Sequence, residues 1–160
     1  VRRARPSDAK VLAEIFRESW RNAYRGIIPH AELESAVLRR DSDWWQRSIR
    51  ANDTILVLEI ERKLAGYATC GPARGRRRHQ GEIYELYLAP IYQGLGLGEH
   101  LFEGCRHNLD SRGLAGLLVW SLADNTPAID FYWRRGGRPV ARASERFGKT
   151  RLAKLAFGWA

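Results

Sequence analysis

Three glycines recur at every second position in Gln93-Gly94-Leu95-Gly96-Leu97-Gly98, between an apolar run that ends at Leu88 and an amphipathic stretch that follows. Where a strand hands over to a helix, the first four helical N–H groups have no internal partner, and the aligned peptide dipoles place partial positive charge there. Glycines remove the β-carbons that would hold an anion away from those groups, so this segment can close around a phosphate or pyrophosphate. A plain tight turn would use the same spacing, and the pattern alone does not separate the two.

Two other nucleotide readings fail on context. A dinucleotide fold places its glycines in the first strand–helix unit, with an acidic residue ~20 positions later at a strand end. Here the glycines lie past mid-chain, and the next strand ends in Ser121-Leu122-Ala123-Asp124, too far on. Ala143-Ser144-Glu145-Arg146-Phe147-Gly148-Lys149-Thr150 satisfies a relaxed P-loop spacing, but only 10 residues follow it, too few for the helix, strand and magnesium-binding carboxylate that such a loop requires.

The elements that must position these residues are mixed in kind. Ser7 and Asp8 can cap a helix whose Val11, Leu12, Ile15, Phe16 and Trp20 recur at helical spacing. Two shorter helices follow, one carrying Leu33, Val37 and Leu38, the other Trp44, Trp45 and Ile49. From Thr54 the branched run Ile55–Ile60 and the segment Leu64–Cys70 predict an antiparallel hairpin turning at Glu61-Arg62-Lys63. Ile83–Leu88 and Leu117–Leu122 are two more strands, each feeding a helix, which argues for a parallel pair in mid-sheet. The helix between them carries Leu97, Leu101, Phe102, Cys105 and Leu109 on one face and stops near Arg112-Gly113. Leu152 to Trp159 fits both alternating and helical spacing.

Composition limits the partners. The chain has 160 residues, 44% hydrophobic and 28% charged, which suits one domain spanning 1–160. No apolar run reaches the roughly 18 to 20 residues of a membrane span, and the N-terminal stretch is polar, so a soluble cytoplasmic protein without a signal peptide is expected. Cys70 and Cys105 lie apart in apolar surroundings and read as reduced core thiols. His100 and His107 fall on the helix after the glycines without a close ligand pattern, so surface histidines and no metal are expected. The net charge of +9 calls for an anionic partner without choosing one. The densest basic run, Arg74 to His79, has no interleaved aromatic residues and is read as a solvated loop, not a nucleic-acid patch.

Gln93, Gly96 and Gly98 at the start of the helix after the fourth strand, with Leu86-Tyr87-Leu88-Ala89-Pro90 before them and Asn125 then Phe131-Tyr132 beyond the next strand, resemble the GNAT superfamily of N-acyltransferases. Arg25-Gly26-Ile27-Ile28-Pro29 resembles a segment common in one bacterial branch. The resemblance covers nearly the whole chain. It implies an α/β (α+β) fold with a mixed, mostly antiparallel central sheet of about six to seven strands, a parallel splayed pair at strands four and five, and flanking helices. It also implies transfer of an acetyl group from acetyl-CoA to a primary amine, small molecule or peptide, by direct attack in a ternary complex. Oligomeric state stays open, dimers being common among relatives. A basic nucleic-acid or ribosome-associated binding module without catalysis is the alternative.

Carried onto this sequence, the resemblance places the pantetheine arm along Leu86, Tyr87 and Leu88, the Leu88 N–H on the thioester oxygen, and the pyrophosphate on Gln93, Gly94, Leu95, Gly96, Leu97, Gly98 and Glu99. Asn125 would hydrogen-bond the pantetheine and Tyr132 would protonate the leaving thiolate; by residue type alone they read as a helix cap and a packing ring. Tyr24 and Ile27, in the helix–loop region that shapes the acceptor pocket in this family, are expected to touch the amine, and the loop from Arg74 to Gln80 to border it. Some relatives carry a base on the fifth strand, but Val119-Trp120-Ser121 offers no carboxylate. Glu85 is the substitute, since strand alternation would put Ile83, Glu85 and Tyr87 on one face and Glu82 on the other. An ion pair with a nearby arginine is the other reading of Glu85.

Overall fold

The computed structural model describes residues 1–51, 53–75 and 78–160. A seven-stranded sheet runs in the order β1-β2-β3-β4-β5-β7-β6, made of β1 (Arg2–Arg3), β2 (Ile55–Ile60), β3 (Lys63–Pro72), β4 (Gly81–Leu88), β5 (Leu117–Leu122), β6 (Arg138–Phe147) and β7 (Thr150–Trp159). Every neighbouring pair is antiparallel except β4 and β5. On one face pack α1 (Ala9–Tyr24) and α3 (Ser42–Arg50), with α2 (His30–Arg39) against α1; on the other lie α4 (Gly98–Ser111) and α5 (Thr126–Arg134).

The apolar stripes explain this layering. Leu12, Ile15 and Phe16 of α1 meet Trp45 of α3 over Val57 and Tyr67 of the sheet. Leu101, Phe102, Cys105 and Leu109 of α4 cover Ala68, Ile83 and Val119 from the other side, together with Tyr132 of α5. Both cysteines are free thiols in that second layer. Asp41 caps α3 through the Trp44 N–H at 2.9 Å, whereas Asp8 turns back from α1 to the Arg5 N–H at 2.7 Å and the Arg2 guanidinium at 2.8 Å. The last segment is a strand, because β5 and β6 offer it a partner on each side. The P-loop-like stretch is the end of β6 and its turn into β7, with Gly148 at φ +61°.

One irregularity shapes the middle of the sheet. Thr69 pairs with Glu85 and Cys70 with Ile83, so Tyr84 is an extra residue in β4, a β-bulge. The bulge corrects the expected alternation: Ile83 turns into the core under α4, while Glu82 and Glu85 both face the opposite side. Parallel pairing of β4 with β5 extends over Gly81 to Ile83 and stops at the bulged residue. A bulged strand bends and twists more strongly, and from here the two strands part.

Close approach of β3 to β4 persists below the parting. A β-carbon on Gly66 would overlap the Tyr87 carbonyl oxygen and lie 2.7 Å from Leu88 Cδ2. Gly66→Ala is therefore expected to destabilise the fold by about 1–3 kcal/mol, the range for overpacking, measured by urea unfolding; an unchanged midpoint would show that β3 has room to yield.

Candidate functional site

Beyond Ile83 the edge of β4 that faced β5 has no strand partner among the described residues. The Ala89 N–H bonds the Ala65 carbonyl at 2.8 Å, and N–H groups in an antiparallel ladder alternate sides, so those of Glu85 and Tyr87 also point to β3. Those of Leu86 and Leu88 point into the gap. A cleft of about 1140 Å³ opens beside it. Glu85 and Tyr87 of β4, Trp120 and Ser121 of β5, and Tyr24 of α1 line it. Asn125 and Tyr132 border it from α5.

The glycine segment lies past the end of β4, outside this cleft. Gly94 and Gly96 have φ of +78° and +75° with nothing within 4 Å of where a β-carbon would stand. No hydrogen bond engages the N–H groups of residues 94 to 97 among the described residues. The helix itself begins at Gly98, and Gly98 serves packing: a β-carbon there would come 2.9 Å from Phe131 Cε2. Glu99 is exposed in the first turn. Gln93 braces the loop, donating through Nε2 to the Leu88 carbonyl at 3.0 Å, with Asn22 Nδ2 on its Oε1 at 3.4 Å. An exposed, glycine-lined row of unbonded N–H groups at a helix start suits a diphosphate.

Tyr132 is 6% exposed, packed among Phe102, Phe131, Phe157 and Trp159. Burial pushes its phenol well above the ordinary range. Asn125 Oδ1 caps α5 through the Ala128 N–H at 3.4 Å, and the Asn125 side chain also reaches the Tyr24 hydroxyl. Tyr24 and Tyr87 share a hydrogen bond of 2.6 Å between their hydroxyls. Burial raises both phenols, and for Tyr24 the hydrogen bonds from Tyr87 and Asn125 partly offset this. Of the two residues expected at the acceptor, Tyr24 lines the cleft, whereas Ile27 is half-buried against the cluster of Tyr24, Ile28, Leu33 and Leu122 and is not among the lining residues.

Glu85 is held by Arg40, whose two terminal nitrogens donate to its two oxygens at 3.1 Å each. Arg40 in turn lies 3.9 Å over the Trp44 ring and 4.8 Å over Phe16. Sequence reasoning missed this arginine, because nothing local marks it: it sits at the end of α2, 45 residues from its partner. Glu82, 1% exposed, is matched by Arg74 at 2.7 Å, with the Arg74 N–H on its other oxygen at 3.0 Å. Arg74 and Gly75 thus border the cleft as expected of that loop, while Arg76 and Arg77 lie outside the described residues. His100 and His107 are exposed on α4. Among the described residues no three His, Cys, Asp or Glu side chains stand close enough to hold a metal.

A parted parallel strand pair and an unbonded, glycine-lined helix start thus stand at one end of the sheet. The acetyltransferase (GNAT) family matches residues 11–137. The uncharacterized N-acetyltransferase YuaI of Bacillus subtilis (strain 168) is 31% identical over 162 residues, covering 99% of this chain and 91% of YuaI. Among solved structures, PaiA N-acetyltransferase from Thermoplasma acidophilum in complex with coenzyme A has a TM-score of 0.74 at 21% identity, covering 96% of this chain and 95% of that one. YncA from Salmonella typhimurium with its cofactor acetyl-CoA has a TM-score of 0.69 at 19% identity, covering 99% and 91%. The chain belongs to the acetyltransferase (GNAT) family and is an N-acetyltransferase, and the binding-module alternative gives way to it.

The Arg40–Glu85 pair generates a stability prediction. Arg40→Met leaves a mostly buried carboxylate uncompensated and should cost about 1–3 kcal/mol, less than a fully buried pair because both groups keep some solvent. Adding Glu85→Gln to Arg40→Met should recover part of that loss. Additive losses in urea unfolding would show that the pair does not couple the two elements.

Proposed function

We propose that the cleft moves an acetyl group from acetyl-CoA directly to a primary amine, with the thioester held on the free edge of β4. One observation carries this: the N–H groups of Leu86 and Leu88, unpaired among the described residues, lead straight into the unbonded N–H row of the loop at residues 94 to 97. An extended pantetheine chain can pair with the first as an added strand would, and the pyrophosphate can sit on the second. The positive φ and open surroundings of Gly94 and Gly96 meet the steric need of that fit. The bound thioester supplies an activated acyl carbon. The chain's own residues supply the rest.

The Leu88 N–H faces the gap and would donate to the thioester oxygen as negative charge gathers there. A single preorganised donor of this kind is worth about 10²–10³ in rate. Tyr132 would give its proton to the departing sulfur. Asn125, with one amide proton beyond the contact to Tyr24, would hold the pantetheine carbonyl. The acceptor enters from the side of α1 and α2, past Tyr24 and Ile28.

Two predictions test the assignment. Gly96→Asp places negative charge beside the pyrophosphate, while aspartate tolerates the left-handed backbone better than most residues. CoA affinity by calorimetry should fall on the order of 10- to 100-fold with the circular dichroism spectrum unchanged; retained affinity in the folded variant would remove the loop from the site. Tyr132→Phe should lower turnover on the order of 10² with CoA affinity intact. Because burial raises the Tyr132 phenol above its usual value near 10, the group stays protonated to higher pH. Wild-type turnover should therefore not decline below about pH 10. Wild-type turnover in the phenylalanine variant would make Tyr132 a packing residue.

A further inference from the structure

Beneath α4 the sheet carries two thiols for which the acetyl transfer has no use. Cys70 of β3 and Cys105 of α4 are free, 3% and 0% exposed, and belong to one apolar cluster. They meet across the boundary between helix and sheet. The Cys70 sulfur donates to Asn108 Oδ1 at 3.8 Å, one turn beyond Cys105 on α4, and the two thiols share a hydrogen bond. Small neighbours let α4 come close at this level. A β-carbon on Gly104 would stand 3.0 Å from Val1 Cγ1 and 3.6 Å from Leu56 Cδ1, and Ala68 precedes Cys70 on the face of β3 that α4 covers. Close approach of the two backbones is what a bond between such sulfurs requires.

The two thiols are not equivalent. Cys70 also lines the rim of the cleft, beside Thr54, Gly71 and Arg112, and so borders space that a small solute can enter. Cys105 is enclosed. The hydrogen bond with Cys105 holds the Cys70 thiol below its ordinary value against the opposing effect of burial, with the charges of Arg112 and Arg3 assisting. The same hydrogen bond, together with burial, pushes the Cys105 thiol up. A sulfur inclined to ionise at the entrance, with a neutral S–H in contact behind it, suits an attacking thiol and its resolving partner.

We propose that Cys70 and Cys105 form a redox site, converted by a small hydroperoxide into an intramolecular disulfide that pins α4 to β3. The Cys70 thiolate attacks the hydroxyl oxygen of the peroxide, the O–O bond breaks, and Cys70 becomes a sulfenic acid. The departing oxygen takes up the proton that Cys70 released and leaves as water or an alcohol. The Cys105 sulfur then displaces the sulfenic hydroxyl, and its own proton leaves with that group as water. Two thiols lose two electrons and one peroxide gains them. The resolving thiol is already in contact, whereas a second peroxide must enter from the rim, so the disulfide forms ahead of any higher oxide. The covalent ring closed in this way runs from residue 70 to residue 105 and contains β4 and the glycine loop. A cross-link restricts the unfolded chain more than the folded one, so the oxidised chain should resist unfolding. None of this depends on the acetyl transfer proposed above.

The test exposes the folded full chain to hydrogen peroxide, alkylates it in denaturant, and reads intact mass and a non-reducing peptide digest. Expected are loss of two hydrogens, no alkylated cysteine, a cross-linked peptide joining Cys70 to Cys105, and return of both thiols on treatment with a dithiol. In Cys105→Ala, Cys70 should stop at a sulfenic acid that dimedone traps. In Cys70→Ala, the enclosed Cys105 should react at least about 10-fold more slowly than Cys70 does. The urea midpoint of the oxidised wild-type chain should lie above that of the reduced chain. Two alkylatable thiols after peroxide, disulfide-linked dimers in place of the internal bond, oxidation of the wild type beyond the sulfenic level, or a midpoint lowered by oxidation would each overturn the proposal. The wild-type readings decide it even where an alanine variant fails to fold.

Discussion

A strand buried in mid-sheet must have its backbone donors met on both edges, and β4 meets this condition only as far as Ile83. Past the bulge at Tyr84 its β3 edge stays paired while its other edge opens on the cleft. The fold tolerates the open edge because solvent or a bound chain can satisfy it. The location of the cleft, the open edge that exposes the Leu88 N–H and the entry of the following loop all descend from this one interruption. The same bulge turns Glu82 and Glu85 to a common side, where alternation would have separated them.

The wall opposite the open β4 edge is stiffened by ring packing and ion pairing acting together. Trp45 is fully buried, edge-on to Tyr67 at 4.8 Å and Phe16 at 6.3 Å. Arg40 fills the space between Trp44 and Glu85 and so ties the α2–α3 corner to β4. A guanidinium suits this position because it can stack and fork at once. The result is a packed wall facing a strand edge that has room for an added chain.

Charge is divided between surface and cleft. The chain carries +9 overall, which favours approach of a polyanionic nucleotide thioester over long range. Within the cleft, arginine and glutamate neutralise one another in pairs. Long-range attraction and local charge balance thus rest on different parts of the molecule.

The sequence by itself determined the elements whose signals are local. Helical spacing in Leu12, Ile15 and Phe16, the branched run of β2, and the glycines between Leu88 and α4 each carry their cause within a few residues; the order strand, helix, strand, helix argued for the parallel pair, and the resemblance added its splaying and the family. Tertiary structure decided what depends on a partner far along the chain. β6 shows no apolar alternation, since its residues Arg142, Glu145 and Arg146 are exposed, and it exists because β7 pairs with it. β7 is a strand and not a helix for the same reason. The bulge at Tyr84 comes from the register with Thr69 and Cys70, the commitment of Glu85 from Arg40, and the 2.6 Å bond of Tyr24 from Tyr87, 63 residues away. Conformational preference is written residue by residue, but register, ion pairing and hydroxyl contacts are properties of two segments at once, and only folding brings the second segment into place.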